Sequence, residues 1–529
     1  MIAHTPSRSL LLKLGPISYK QLCDVFPHHT KALEYEGHNL AVPHNLEVVK
    51  VLRNMGIKAP SPIRYYYDWP RPARFETVFD HQYATSDFLT MHKRCFVLNE
   101  QGTAKTSATL WAIDYLMTLG KVKRVLIVAK LSTLDQVWMN EIFDVCMHRT
   151  ALVLHKPSAD KRRELLSREV DFYIINHDGL KILSKELIKR LDIDLVVVDE
   201  ASAYRNAQTD QYKVLEQVAR NKKLWLLTGT PCPNAPTDAW ALARLVDKSR
   251  VPDYFSQFKK LTMNQVSTYK WVPKPGSHQI AFDAMQPAIR FKKSECLTLP
   301  PITYSNRACE LSAEQKAAYT AMKNNLVAEA GSMQISAVNA ADKVSKLRQI
   351  LCGAVKDTAT GQYIMLDHGP RLKVLLEGIE ESSAKVLIIV PFKGIVSVLK
   401  NEVQAWHDHR GDGRRVEIVN GDVSKRDRDR IFEDFRDDDN LTELVCHPKV
   451  MAHGLNLTQA DMVILYAPIY SNEETLQVLD RINRPGQKRK MSILRIVANA
   501  LEQGIYAMVA GRAETQENIL SLYLKELQS

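Results

Sequence analysis

CFVLNEQGTAKTSATLWAIDYLM, residues 95 to 117, passes from a short apolar run through a polar loop into a helix-forming stretch. A strand, a tight loop and a helix form a cradle in which backbone amides face a phosphate group. Lys105 is predicted to neutralise the β- and γ-phosphates of a nucleotide, and the Thr106 hydroxyl is predicted to ligate magnesium. A surface Lys-Thr pair after a strand would give the same local pattern. Other motifs in the sequence must therefore distinguish a phosphate-binding loop from such a pair. The predicted nucleotide-binding residues of the loop are Gly102, Thr103, Ala104, Lys105 and Thr106.

Ala104 departs from the usual phosphate-binding pattern, which has a second glycine at this point of the loop. The Cβ atom of alanine disfavours positive φ, whereas glycine adopts positive φ readily. We therefore expect a slightly altered loop or weaker nucleotide binding.

The segment LVVVDEAS, residues 195 to 202, places two carboxylates directly after a buried strand. Ligand sites of open α/β sheets lie at the carboxyl ends of the strands. Asp199 is predicted to hold magnesium through water, and Glu200 is predicted to orient and deprotonate the attacking water. Taken alone, an Asp-Glu pair is also a common acidic start of a helix.

A third apolar run, residues 224 to 227, leads into the polar loop TGTP, residues 228 to 231. Such a loop could sense the γ-phosphate and transmit its presence to the rest of the domain. A plain turn would look similar, so the loop is informative only because it follows the other two motifs in order.

Short β-branched runs alternate with helix-like stretches along most of the chain, which predicts an α/β fold with parallel sheets and crossover helices. The predicted strands of the first half are 96–98, 125–128, 172–175, 195–198 and 224–227, and those of the second half are 386–390, 416–419, 444–446, 463–466 and 493–497. The predicted organisation is a small amino-terminal module (1–70), a first lobe (75–295), a helical connector (296–365) and a second lobe (366–529).

The amino-terminal module is predicted to contain one strand within residues 32–42 and one helix within 46–55. The segment SPIRYYYDWPRPARF, residues 61 to 75, is rich in turn-forming residues and is interpreted as a linker.

Composition excludes several classes of protein. The chain has 529 residues, of which 45% are hydrophobic and 25% charged, as in ordinary globular proteins. No apolar run approaches the length that a bilayer requires and no cleavable leader is recognisable, so a cytoplasmic protein is expected. The eight cysteines contain no CxxC pair, which argues against a zinc ribbon. A net charge of +11 favours a polyanionic partner without proving one.

With these motifs in order, the sequence resembles the superfamily 2 helicases, and within them the Swi/Snf-type DNA-dependent ATPases. The resemblance extends over roughly residues 75 to 510. Its most specific stretch is QVLDRINRPGQ, residues 477 to 487. Further matching motifs are VFDHQ (78–82), VLIVAKLSTLDQVWMNE (125–141), DFYIINHDGL (171–180), LTLPP (297–301), KLRQIL (346–351), KVLIIVPF (385–392) and HGLNLTQADMVILY (453–466).

The resemblance implies two RecA-like lobes with an ATP site in the cleft between them. It implies that Gln82 hydrogen-bonds the adenine base, and that Gly454 and Asp480 also belong to the nucleotide-binding residues. Arg481 and Arg484 are expected to reach the γ-phosphate as arginine fingers. The implied cofactors are ATP and Mg²⁺, and the implied partner is duplex or branched DNA, acted on by a monomeric motor.

The compact chain resembles the short helicases of bacteriophages and bacteria, for which the host cytoplasm is the expected location. Its amino-terminal module is similar in placement to segments that precede the motor of annealing helicases.

His453 stands where these motors often carry glycine, and Ser202 replaces the more usual histidine after the acidic pair. His407-Asp408-His409 has no partner motif for a metal and is interpreted as a solvated loop.

Two alternatives remain beside the DNA translocase. An RNA helicase could share a core that grips a phosphate backbone, although RxxRPGQ favours the DNA branch. A nucleic-acid clamp with little ATP turnover is the alternative from a different class, because Ala104 and His453 both depart from the family pattern.

Overall fold

The computed structural model divides the chain into two compact units, residues 1–296 and residues 297–529. The structure describes residues 1–27, 31–71, 77–229, 232, 235–267, 271–296, 299–331, 337–357, 360–452, 457–484 and 486–510.

The amino-terminal part of unit 1 is a four-stranded antiparallel sheet of order β1-β2-β4-β3. Its strands are β1 (Ile2–His4), β2 (Ser9–Leu12), β3 (Lys31–Tyr35) and β4 (His38–Pro43), and its helices are α1 (Pro16–Val25), α2 (Leu46–Asn54) and α3 (Ile63–Tyr66). The single strand predicted within 32–42 is therefore wrong. Glu36 and Gly37 both adopt positive φ between β3 and β4, the geometry of a tight hairpin turn that splits the run into two paired strands.

The segment predicted as a linker, 61–75, packs against the rest of unit 1 over its described residues. The Trp69 ring lies 4.6 Å from the ring of Tyr83 and 5.5 Å from that of Trp111. The Tyr67 hydroxyl donates a 2.9 Å hydrogen bond to Asp114. The linker interpretation is wrong because aromatic side chains among the prolines bury their rings here.

The main sheet of unit 1 has seven parallel strands in the order β13-β5-β10-β9-β6-β8-β7. Its strands are β5 (Arg94–Val97), β6 (Arg124–Ala129), β7 (Ala151–Val153), β8 (Phe172–Asn176), β9 (Ile193–Asp199), β10 (Lys223–Leu227) and β13 (Ala288–Ile289), and a separate hairpin is formed by β11 (Met263–Gln265) and β12 (Trp271–Pro273). The central strands are buried along almost their whole length, because helices cover both faces of a parallel sheet.

The helices of unit 1 that follow the amino-terminal part include the two that carry the nucleotide motifs. They are α4 (Asp80–Met91), α5 (Lys105–Thr118), α6 (Asn140–Val145), α7 (Ala159–Ser167), α8 (His177–Ile182), α9 (Ser184–Lys189), α10 (Asp210–Val218), α11 (Ala239–Val246), α12 (Phe255–Thr262), α13 (Ser277–Ala284) and α14 (Lys293–Cys296). One hydrophobic core joins the amino-terminal part to α4 and α5, with Leu10, Leu52, Leu89 and Trp111 all fully buried.

Unit 2 contains a six-stranded parallel sheet of order β14-β21-β20-β17-β19-β18 and a small antiparallel hairpin, β15-β16. The strands are β14 (Ile302–Ala308), β15 (Ala354–Lys356), β16 (Tyr363–Met365), β17 (Lys385–Ile389), β18 (Arg415–Val419), β19 (Leu441–Cys446), β20 (Ala460–Leu465) and β21 (Met491–Val497). The helices are α15 (Ala313–Gly331), α16 (Ala337–Cys352), α17 (Gly369–Glu380), α18 (Lys393–Arg410), α19 (Lys425–Asp437), α20 (Asn472–Ile482) and α21 (Ala500–Ala510).

The two parallel sheets confirm the predicted α/β fold class, and all ten predicted strands lie in them. Each strand begins at the predicted residue or up to three residues earlier. The eight cysteines are free thiols.

The prediction of a solvated loop at residues 407–409 is wrong, because these residues form the end of α18. His407 is buried, with Nδ1 2.9 Å from Asp412 and Nε2 3.0 Å from Glu443. Burial lowers the pKa of His407, but its hydrogen bonds to the two carboxylates outweigh burial and raise it overall. Within the described residues, no group of three or more His, Cys, Asp and Glu side chains is placed to hold a metal ion.

Candidate nucleotide site

The predicted phosphate loop joins β5 to α5, and α5 begins at Lys105. Gly102 has φ of 77° and Ala104 has φ of 53°, so both residues are left-handed. Ala104 thus takes the conformation for which the common pattern supplies glycine. An alanine there costs about 1–2 kcal/mol relative to its right-handed conformation. The predicted altered loop is therefore a strained loop that keeps the glycine-type backbone path.

The Lys105 side chain folds back over this loop. Its Nζ donates hydrogen bonds of 2.8 Å to the Asn99 carbonyl and 3.1 Å to the Glu100 carbonyl. Thr103 is buried, and its hydroxyl also donates to the Glu100 carbonyl at 2.8 Å. Thr106, the second residue of α5, is half-buried. The loop therefore holds a cation at the amino terminus of a helix, where an anion is stabilised.

The two predicted carboxylates lie at the carboxyl end of β9. Asp199 accepts a 3.1 Å hydrogen bond from Trp138 Nε1, and Glu200 has φ of 53°. Burial and the neighbouring Glu200 charge raise the pKa of Asp199, while Lys105 and the bond from Trp138 oppose that shift. Lys105 is therefore close enough for its charge to act on Asp199, so the phosphate loop and the acidic motif lie beside each other, and their roles in ATP binding stay predictions.

The acidic pair fits a hard divalent cation. Oε2 of Glu200 and Oε1 of Gln101 are buried and have no hydrogen-bond partner within the described part of the chain. Buried polar atoms without partners are rare and call for a ligand, ion or water. Carboxylate and hydroxyl oxygens are the ligands that Mg²⁺ prefers, and Asp199 and Thr106 supply both types. The residues present therefore suit the predicted metal.

Gln101 connects the phosphate loop to the other two motifs. Its Nε2 lies 3.5 Å from Glu200 Oε1, a long hydrogen bond. A Cβ atom added to Gly229 would lie 3.2 Å from both the backbone nitrogen and the Cγ of Gln101. The backbone of the third motif therefore touches the phosphate loop, which only glycine allows without displacement. Residues 230 and 231 of this motif lie outside the described residues.

Gln82 is fully buried at the start of α4. Its Oε1 accepts a 3.0 Å hydrogen bond from the Phe79 amide, and its Nε2 lies 3.5 Å from the Ala104 carbonyl. The side chain therefore contacts the phosphate loop, and its adenine-reading role stays a prediction.

Several side chains that support this site were not among the predicted site residues. His81 Nε2 lies 3.0 Å from the Thr103 carbonyl, and burial lowers the pKa of this histidine. Asn99 donates to the Thr85 hydroxyl at 2.9 Å and accepts from the Phe291 amide at 3.1 Å. His81 could have been recognised from its position beside Gln82, whereas no sequence pattern indicates the contacts of Asn99.

The motif at residues 125–141 contacts Asp199 and helix α5. Trp138 lies in a π-helical turn, Leu134–Met139, a local geometry that is frequent at functional sites. Glu141 is buried and accepts a hydrogen bond from Ser107 on α5. Trp138, the tryptophan of the family motif, therefore holds Asp199 at the end of β9. Glu141, the acidic residue of that motif, holds the helix that follows the phosphate loop.

In unit 2 the two predicted arginines differ in their surroundings. Arg481 is 7% exposed, its Nε donates to the Met451 carbonyl at 2.8 Å, and its own carbonyl accepts from Leu457 at 2.9 Å. Arg484 is more exposed and lies 3.6 Å from Asp480. Gly454 and His453 lie outside the described residues. Arg481 thus forms hydrogen bonds with residues on either side of His453 and Gly454, and Arg484 is the more exposed of the two arginines.

Residues 45–359 match the SNF2-related domain and residues 370–486 match the helicase conserved C-terminal domain. These two domains define a nucleic-acid-dependent ATPase of the helicase and translocase class, which confirms the predicted enzyme class. The chain belongs to the SNF2-related family, because the first match alone spans more than half of its 529 residues. The predicted resemblance to Swi/Snf-type ATPases is confirmed, and the two parallel sheets are the RecA-like lobes of that family.

The chain is 25% identical over 467 residues to the ISWI chromatin-remodeling complex ATPase ISW1 of Saccharomyces cerevisiae, covering 81% of this chain and 39% of that protein. It is 23% identical over 470 residues to putative protein p41 of Acyrthosiphon pisum secondary endosymbiont phage 1, covering 85% of this chain and 98% of that protein. The Sulfolobus solfataricus SWI2/SNF2 ATPase core in complex with dsDNA aligns at 19% identity and a TM-score of 0.40, covering 87% and 98% of the two chains.

The chain spans about two-fifths of the length of the yeast relative and nearly all of the phage relative. Membership of the family implies use of ATP. None of the helices in the described residues combines the length and apolar character needed to cross a bilayer.

The strain at Ala104 predicts that Ala104→Gly stabilises the fold and keeps ATP binding. Removing the strain of the left-handed alanine raises the free energy of unfolding by about 1–2 kcal/mol. The greater conformational freedom of glycine in the unfolded chain lowers it by about 0.4–1 kcal/mol. A net gain of about 0–1.6 kcal/mol in the free energy of unfolding is therefore expected in urea titrations. Ala112→Gly, in the buried interior of α5, is the matched control and should lose about 1 kcal/mol or more. Loss of ATP binding in Ala104→Gly would contradict this account of the loop.

Proposed function

We propose that this protein is an ATP-driven DNA translocase that remodels duplex or branched DNA in replication, recombination or repair. The observation that supports the proposal best is the convergence of the Lys105 loop, Asp199 and Glu200 at one edge of a parallel sheet, in a chain of the SNF2-related family. Such an arrangement suits phosphoryl transfer, in which catalysis consists mainly of positioning and charge stabilisation.

Each residue of the site has a role in the proposal. Lys105 holds the β- and γ-phosphates, and Thr106 and Asp199 hold Mg²⁺, which neutralises phosphate charge when it is bound. Glu200 orients the attacking water and accepts its proton. Gln82 recognises the adenine base. Further expected contacts with the nucleotide are Gly102, Thr103, Ala104, Gly454 and Asp480.

DNA is the proposed partner. The net charge of +11 favours a polyanion. The yeast relative is named as the ATPase of a chromatin-remodeling complex, and the Sulfolobus core is described in complex with double-stranded DNA. Contacts to backbone phosphates position a protein without reading bases, so slight sequence preference and steep salt dependence are expected. We also propose that the motor acts as a monomer in the host cytoplasm.

The catalytic assignment predicts different defects for two variants of the site. Lys105→Ala should remove most ATP binding and hydrolysis, because the phosphates lose their cation. Glu200→Gln should still bind ATP but hydrolyse it about 10² to 10⁴ times more slowly, because the general base is lost. Phosphate release is measured without nucleic acid and with matched single-stranded DNA, duplex, fork and RNA, and Lys123→Ala on the exposed surface is the control.

Stimulation of the wild-type protein by DNA supports the translocase. Stimulation by RNA alone would favour an RNA helicase, and binding of nucleic acid without turnover would favour a clamp. Undiminished DNA-stimulated hydrolysis in Glu200→Gln would contradict the role given to that carboxylate.

The arginine-finger assignment predicts a separation between stability and turnover. Arg484→Ala should lower kcat at least tenfold, since such arginines contribute about 10³–10⁵ in other NTPases, while ATP affinity and the free energy of unfolding stay near wild type. Arg481→Ala should lower both kcat and stability, because this side chain is buried and bonded to Met451. Arg489→Ala, an exposed arginine nearby, is the control. Unchanged kcat in Arg484→Ala would refute its assignment.

A further inference from the structure

A segment of unit 1 between α11 and β13 lies outside the residues assigned to the nucleotide site. Within it, the described residues 254–267 and 271–282, here called the arm, comprise α12, the β11-β12 hairpin and most of α13. The arm lies between Asp253 and Asp283, and its 26 residues contain three lysines and no aspartate or glutamate. Such a composition is unusual in a chain with 60 acidic residues among 529.

The arm is also rich in exposed apolar side chains. Six of the 23 large hydrophobic residues that are exposed in the described part of the chain lie within it: Tyr254, Phe255, Leu261, Val266, Ile280 and Phe282. Tyr254 is 69% exposed and Val266 is 63% exposed. Scattered exposed hydrophobic residues need no explanation, whereas such a concentration indicates an interaction surface.

The arm is anchored to unit 1 rather than loosely attached. Phe258 on α12 and Ala281 on α13 are buried in the core that also contains α11. At the base of the hairpin, the Lys274 amide donates to the Thr262 carbonyl at 2.9 Å and its Nζ donates to the Lys260 carbonyl at 2.5 Å. The surface that the arm presents is therefore held in a defined shape.

Some surface lysines of the unit form ion pairs with acids, and the described lysines of the arm do not. Lys181 pairs with Asp210 and Lys248 pairs with Glu216. Over the described residues, Lys259, Lys260 and Lys274 have no carboxylate within ion-pair distance. Lys259 Nζ instead lies 4.1 Å from the centre of the half-buried Trp271 ring on the hairpin. Cations interleaved with aromatic rings are the surface chemistry that grips an unpaired nucleic-acid strand, through phosphates and base faces together.

We propose that the arm binds single-stranded DNA, the unpaired strand that is present at a fork or branch. This inference rests on the proposed function and names the DNA structure on which the motor is positioned. The lysines supply the phosphate contacts, and exposed side chains such as Tyr254 supply stacking. A fully paired duplex hides its base faces, so it would use the lysines alone.

The charge part of the proposal is tested by a triple variant, Lys259→Gln, Lys260→Gln and Lys274→Gln. A fluorescein-labelled 30-nucleotide single strand is titrated by anisotropy at several NaCl concentrations, with the full chain. The slope of log affinity against log salt is negative, and each lost phosphate contact should reduce its magnitude by about 0.7. The triple variant should therefore have a slope whose magnitude is smaller by about 2. The control removes the same charge from three surface lysines that pair with acids, with Lys121→Gln, Lys181→Gln and Lys248→Gln, and should keep the wild-type slope.

The aromatic part is tested with Tyr254→Ala on the same single strand and on a blunt duplex of equal length. Stacking is not ionic, so single-strand affinity should fall about tenfold with an unchanged salt slope, and duplex affinity should change little. Both variants should keep the ATPase rate measured without DNA, since the arm contains no residue of the nucleotide site. Circular dichroism and thermal unfolding verify that each variant is folded.

The outcomes separate the two proposals. If DNA stimulates the wild-type ATPase and the arm variants bind the single strand like the control variant, the arm proposal is overturned and a protein partner becomes the better occupant. Equal losses on single strand and duplex for Tyr254→Ala would also overturn it. If no DNA binds or stimulates the wild-type protein, the proposed function itself fails.

Discussion

The register of three parallel strands is the constraint on which the site depends. Leu227 of β10 pairs with Val97 of β5 on one side and with Asp199 of β9 on the other, so three strands end in one row. The residues that follow are the phosphate loop, the acidic pair and the third motif, whose Thr228 amide donates to the Val97 carbonyl at 3.0 Å. A shift of one residue in either pairing would turn Asp199 to the opposite face of the sheet and separate it from Lys105. The pairing of the strands therefore brings together three short motifs that are separated in the sequence by 92 residues (107–198) and by 27 residues (201–227).

Local energetic costs concentrate at that edge. Ala104 and Glu200 are two of the five non-glycine residues with positive φ in the described part of the chain, and both lie in the site. Two buried oxygen atoms, on Gln101 and Glu200, have no partner there. Strained backbone and unsatisfied polar atoms persist where the surrounding structure holds them, and they are expected where a ligand completes the site. Here the buried strands and the hydrogen bonds of Trp138 and Glu141 hold the site in place.

The sequence predicted the parallel sheets and the three motifs because both depend on local patterns: apolar runs and short polar stretches at their ends. The starts of most strands were predicted too late. Several strands begin at a charged residue, which pairs through its backbone but does not belong to the apolar run from which the strand was predicted. Arg94 opens β5 and donates to the carbonyls of Ala219, Lys222 and Leu245, contacts set by the tertiary fold. Burial of His407 and Trp69 and the contacts of Asn99 likewise arise between segments far apart in sequence. The hairpin turn at Glu36-Gly37 is local, but it was missed because it interrupts what was interpreted as one strand. The domain boundaries, the roles of the site residues and the monomeric state stay predictions.

In the proposed motor, a change at the γ-phosphate drives movement along DNA, and we propose that the close approach of Gly229 to Gln101 transmits that change out of the phosphate loop. We further propose that the motor moves along duplex DNA without primarily separating its strands, and this is the central claim. The most direct measurement is ATP-dependent displacement of a fluorescent triplex-forming third strand from duplex DNA, run beside unwinding of a tailed duplex. The account predicts displacement of the third strand that requires ATP hydrolysis, with little unwinding of the tailed duplex. Efficient unwinding of the tailed duplex with no displacement of the third strand would contradict it.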